Sequence, residues 1–108
     1  MDELEKALNF IRDKAKSLAE AKANRVYLEQ FRKSKKAILS KSSGLKTGQE
    51  REDYAYSHPE YLELLEGLRT ATEQEELLKY QMEAAKLKIE VWRSRNANER
   101  FEKRAYGA

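Results

Sequence analysis

Proline occurs once in this sequence, at position 59, and the long stretches on either side are almost free of glycine. Residues 2 to 40 hold neither residue. Residues 60 to 106 hold only Gly67. Gly and Pro are the strongest local breakers of helices, so two uninterrupted spans of this length read as two long helices. Between them, residues 42 to 58 gather Ser42, Ser43, Gly44, Gly48, Ser57 and His58 ahead of Pro59. The expectation is a helix over about 2–41, a connector over about 42–57 and a helix over about 58–106. That makes a single all-α domain, 1–108, in which two long helices form an antiparallel, coiled-coil-like hairpin joined by a partly helical connector.

The second span carries the clearer pattern. With steps of three and four, a seam runs Tyr61, Leu64, Leu68, Ala71, Glu75, Leu78, Met82, Ala85, Ile89, Trp92. Nine of these ten are apolar or aromatic, the spacing of a helix packed lengthwise on another helix. Leu65, Thr72 and Val91 widen the stripe, and Trp92 reads as a core residue. Ser57 with Glu60 fits a capping box, Pro59 fits the first turn, and Gly107 is a natural stop. In the first span, Leu4, Leu8, Ile11, Ala15 and Leu18 form a seam. Its continuation reaches Lys22 and Arg25, so the stripe is expected to shift and resume at Ala21, Leu28, Phe31 and Ile38. Asp2 is placed to cap this helix. Thr47 with Glu50 offers a capping box inside the connector, which predicts one or two short helical turns there.

A helix of 40 residues is roughly 60 Å long, and two folded back on each other form a rod that buries one stripe each. Apolar residues left over, among them Phe10, Leu45, Leu77, Leu87 and Phe101, point to self-association of side-by-side hairpins into a dimer.

Charge is segregated, although the net value is only +3. Arg32 to Lys46 holds six bases (Arg32, Lys33, Lys35, Lys36, Lys41, Lys46) and no acid. Gln49 to Glu83 holds ten acids against three bases, and Ala84 to the end holds seven bases against three acids. In an antiparallel hairpin the first basic block lies beside the acidic start of the second helix. One reading pairs the blocks as interhelical salt bridges that set register. The other turns the bases toward a polyanion. Arg32, Lys33, Lys35, Lys36, Lys41 and Lys46, with Arg93 and Arg95, are then the nucleic-acid-binding candidates. Binding of that kind is tolerant of sequence and steeply salt-dependent. A third use of the surface is protein docking through Tyr54 and Tyr56 of the connector and the acidic residues Glu60, Glu63 and Glu66, continued by Glu73 and Glu76.

Catalytic and metal chemistry find little support. The absence of Cys removes disulfides, thiol catalysis and thiolate zinc sites. Glu60, Glu63 and Glu66 read better as an acidic first turn favoured by the helix dipole than as a cation site. His58, the only histidine, sits before Pro59 at a helix start, where a capping or turn role is expected. Gly44-Leu-Lys-Thr-Gly48 lacks the Gly-Lys-Ser/Thr ending of a phosphate-binding loop. No enzyme activity and no cofactor is expected. The longest aliphatic run, Ala37-Ile38-Leu39, is far too short for a membrane span, and a cytoplasmic protein is the expectation.

The segments Tyr27–Ala37, Gln49–Glu52, His58–Leu62 and Ile89–Ser94 together resemble a family of small helical proteins from the early regions of tailed phages and prophages. The resemblance implies an accessory factor of phage DNA metabolism, or a modulator of a host factor, acting in the host cytoplasm. It brings no catalytic residues.

Overall fold

The structure, a computed structural model, describes residues 2–107. It contains three helices: α1 (Glu3–Ser42), α2 (Gly48–Ser57) and α3 (Pro59–Ala105). The long α1 packs against the long α3, so the chain is an all-α helical hairpin with α2 in its connection. Among the described residues there is no strand, and no helix is long and apolar enough to cross a membrane.

Each boundary has a local cause. Asp2 caps α1, its Oδ1 accepting from the Glu5 N–H at 2.7 Å. At the other end the hydroxyls of Ser42 and Ser43 donate to the carbonyls of Leu39 and Ser40, giving the chain an alternative to the helical ladder. Gly44 then takes φ +72°, a left-handed conformation that costs a glycine little and ends the helix. Thr47 caps α2 as expected, with its side-chain oxygen accepting from the Glu50 N–H at 3.1 Å. The connector is more helical than the one or two turns expected, since α2 runs for 10 residues.

The break between α2 and α3 corrects one expectation. Ser57 does not cap α3; its hydroxyl donates to the Asp53 carbonyl at 2.6 Å, as the last residue of α2. His58 takes the capping role. It is extended (φ −68°, ψ 136°) because the proline ring that follows excludes the helical region. Its Nδ1 accepts from the Glu60 N–H at 3.1 Å, and its carbonyl accepts from Tyr61 and Leu62. Pro59 opens α3, where a missing N–H costs nothing.

Contacts group the chain into two compact units. One comprises Ala19–Glu76. In it Leu39 of α1, Ala55 of α2 and Tyr61 of α3 form a buried cluster, with Leu65 against it. Arg25 meets Glu75 and Lys35 meets Glu60, so the helices run antiparallel here. The other unit comprises the residues up to Leu18 and those from Leu77 on. Its buried apolar residues are Ala7, Met82 and Ala85. Lys6, Ala7 and Phe10 of α1 line a groove of about 310 Å³ with Gln81, Ala84, Ala85 and Lys88 of α3.

The α3 seam from Tyr61 to Ile89 is buried or half-buried at every position. It fails at its last member. Trp92 is 45% exposed, and Val91 is exposed too. Glu3, at the start of α1, pairs with Lys88 at 3.7 Å, so beyond that level no described part of α1 faces α3. The α1 expectation is corrected in part, since Ala21, Leu28 and Phe31 are half-buried as expected. Its stripe does not shift. Leu4, Ala7, Ile11, Leu18, Ala21, Arg25, Leu28, Lys35 and Leu39 are buried or half-buried on one three–four register, in which the intervening Lys14 and Arg32 are exposed. Leu8, Ala15 and Ile38, expected inside, are exposed.

Candidate nucleic-acid interface

Near the end of α1, Lys36 lies four residues after Arg32 and three after Lys33, which places it beside both on the helix surface. In the unit formed by Ala19–Glu76 that face meets Tyr56 of α2 and Tyr61 of α3. The five residues line an open groove of about 510 Å³. Tyr61 is buried, and its ring meets that of Tyr56 edge-on, centroids 5.3 Å apart. Tyr56 is exposed. The Lys36 ammonium lies 4.6 Å above the Tyr56 ring and bonds Glu52 Oε1 at 3.2 Å. Contact with Tyr56 and then with Glu52 holds the Lys36 ammonium above the ordinary lysine range, so it stays charged. Arg32 and Lys33 are exposed and make no ion pair among the described residues. The groove thus offers two uncommitted cations, one positioned cation and an aromatic surface.

The remaining candidate cations divide. Lys35 points to another side of α1 and bonds Glu60 Oε2 at 2.7 Å. That contact holds the Glu60 carboxyl below the ordinary glutamate range. Lys41 and Lys46 are exposed beside the serine-rich end of α1 and in the following loop. Arg51 of α2 fixes that loop by donating to the Leu45 carbonyl at 2.7 Å. Arg93 and Arg95 belong to the other unit; Arg93 is paired with Glu90 at 3.2 Å, and Arg95 is exposed. The two sequence readings of the charge blocks are therefore each true of different residues. Lys35 and Lys36 make interhelical pairs, whereas Arg32, Lys33, Lys41 and Lys46 face solvent.

The acidic candidates are also split. Glu60 and Glu63 line a second groove of about 380 Å³ with Phe31, Lys35, Leu64 and Gly67. Glu66 is paired with Arg69 of its own helix at 3.7 Å. Tyr54 packs on His58, with ring centroids 5.5 Å apart. Among the described residues no group of three or more His, Cys, Asp or Glu converges as a metal site would.

One cluster escaped sequence reasoning. The Arg25 guanidinium makes a forked contact with Glu75, through Nε to Oε2 and through Nη2 to Oε1 at 3.2 Å. Its Nη1 donates to Glu29 at 3.0 Å. Glu75 is 1% exposed, the one charged side chain buried among the described residues. Hydrogen bonding to Glu75, then to Glu29, pushes the already strong base Arg25 further up. A signal was present in the sequence. Glu75 is the polar exception in the α3 seam, and Arg25 lies where the α1 seam turns polar.

No protein-family model, curated protein or solved structure matches this chain. The fold defines its class as an all-α helical hairpin with a helical connector, and the site defines it as one bearing a cationic groove floored by tyrosine.

Proposed function

We propose that this protein binds nucleic acid without enzymatic activity, as an accessory factor of phage DNA metabolism in the host cytoplasm. Arg32, Lys33 and Lys36 contact backbone phosphates, and Lys41 and Lys46 extend the charged surface. Tyr56 offers a ring on which an exposed base stacks. The observation that carries this reading is the uncommitted state of Arg32 and Lys33 beside the Tyr56 ring. Nothing in the groove supplies a base-reading array, so recognition is electrostatic and tolerant of sequence. The chain also acts as a homo-oligomer in this proposal.

Fluorescence anisotropy with labelled single- and double-stranded DNA across a salt series tests it. Affinity should fall linearly on a log–log salt plot. Arg32→Ala/Lys33→Ala should weaken binding several-fold and reduce the slope by about 1.8 on duplex DNA, or about 1.4 on single strands, for two lost phosphate contacts. Lys35→Ala, which removes a cation already held by Glu60, should change affinity far less. Equal effects of the two variants, or no binding at low salt, would remove the groove from consideration.

The second groove supports a different reading, capture of a host protein. Phe31 and Leu64 beside Glu60 and Glu63 suit a basic segment with an apolar anchor. A salt-resistant protein complex lost in Glu63→Lys, with no DNA shift, would favour it.

A further inference from the structure

Helix α3 carries a second apolar stripe, on the side away from its seam with α1. From Leu77 the steps of three and four run Leu77, Tyr80, Ala84, Leu87, Val91, Ser94, Asn98, Phe101. All lie within one unit. Leu77 to Ser94 each follow a position of the seam spacing by two residues, about 200° around the helix, so this part of the stripe faces almost opposite to the seam, and Asn98 and Phe101 continue it. Its five large apolar members, Leu77, Tyr80, Leu87, Val91 and Phe101, are between 49% and 71% exposed. Such a row of exposed apolar side chains on one helix face marks an interaction surface.

The residues flanking the stripe specify the occupant. In heptad terms Leu77, Ala84, Val91 and Asn98 take position a, and Tyr80, Leu87, Ser94 and Phe101 take position d. The g flank then carries Glu83 and Glu90, and the e flank carries Lys88 and Arg95. In a parallel pair of helices each g residue meets the e residue that begins the partner's next heptad. A second copy of this chain in parallel alignment therefore sets Glu83 against Lys88 and Glu90 against Arg95, twice over by symmetry. An antiparallel copy sets g against g and e against e, which opposes like charges on both flanks. One further feature agrees: a single Asn at a, Asn98, fixes register by meeting its own copy. Lys88 and Glu90 already have partners, Glu3 at 3.7 Å and Arg93 at 3.2 Å. Both pairs are exposed and weak enough to exchange.

We infer that the chain forms a parallel, in-register homodimer through the outer stripe of α3, from Leu77 to Phe101. This deepens the homo-oligomer part of the proposed function and is independent of the basic groove.

Sedimentation of the full chain tests the inference. The expected mass is twice 12.6 kDa at tens of micromolar protein. Leu87→Glu should give a monomer with unchanged helical circular dichroism, because Leu87 is solvent-exposed within the chain. Glu83→Lys/Glu90→Lys and Lys88→Glu/Arg95→Glu should each weaken self-association at least tenfold, and their mixture should restore a dimer. Orientation is read separately. The chain has no cysteine, so Leu77→Cys places one thiol at one end of the stripe. Mild oxidation should link two copies, whereas an antiparallel pair would hold these thiols roughly 36 Å apart. A monomeric wild-type chain, a dimer that survives Leu87→Glu, or a dimer that Leu77→Cys does not link would each overturn the inference. A monomer that still binds DNA would overturn it while leaving the groove intact.

Discussion

Arg25 and Glu75 occupy seam positions where their neighbours are apolar, and each makes the other tolerable. A carboxylate as buried as Glu75 is costly without a charged partner, and the forked guanidinium supplies two of its hydrogen bonds. Such a pair contributes less to stability than to register, because sliding either helix by one turn would leave Glu75 facing an apolar side chain. Arg25→Met should therefore destabilise the protein strongly. Losses of about 3–5 kcal/mol are usual when a buried carboxylate loses its charged partner. The double variant Arg25→Met/Glu75→Leu should recover most of this in denaturant unfolding. A double variant no more stable than the single one would show that the buried carboxylate is not the source of the loss. The Lys35–Glu60 pair behaves differently because its carboxylate is exposed. Its folded-state carboxyl is depressed below the ordinary value of 4.5. Its contribution is thus present above that value and is lost as pH falls through the folded one. NMR titration should find Glu60 ionising below 4.5 in the wild type and returning toward it in Lys35→Met.

At the scale of elements, caps decide where helices begin. Asp2, Thr47 and His58 each satisfy an N–H that the first turn leaves without a partner. The short α2 depends most on this, since 10 residues give a helix little propagation to offset nucleation. Thr47→Ala should cost about 1 kcal/mol, measured by thermal unfolding, with the loss of helical signal confined to α2 in amide exchange. Two of the three caps were legible in the sequence as a polar side chain three residues before a free N–H. The third was offered both to Ser57, one residue too early, and to His58 as a capping or turn residue, and His58 takes it. A pattern three residues apart matches Ser57 with Glu60 on paper, but the proline forces the break at His58 and so decides which residue lies outside the helix.

For the molecule as a whole, the limiting quantity is apolar burial. Seven hydrophobic residues are buried among those described, and four of them are alanine. Alanine lets helices approach closely but removes little surface from water, so each unit has a thin core. The outer stripe of α3 leaves five large apolar side chains uncovered on one helix face, and burying it against a second copy would supply what the core lacks. The same shortage of burial leaves charge to set alignment. Acidic and basic blocks meet at Lys35–Glu60 and Lys36–Glu52, while Arg32 and Lys33 remain available for a ligand.

The sequence by itself determined the all-α class, the two long helices, the break at Pro59 and the α3 seam from Tyr61 to Ile89. These follow from local rules of backbone sterics and periodicity, which act within a few residues. Tertiary structure alone decided which candidates came together. Trp92 matches the seam pattern but is exposed, because a seam position is buried only where a partner helix stands opposite. Arg25 breaks the pattern but belongs to the seam, because its partner there is a carboxylate. Lys35 and Lys36 are adjacent in sequence yet pair with different helices, and Arg32 and Lys33 are left unpaired, since only the meeting of α1, α2 and α3 fixes which acid each base can reach.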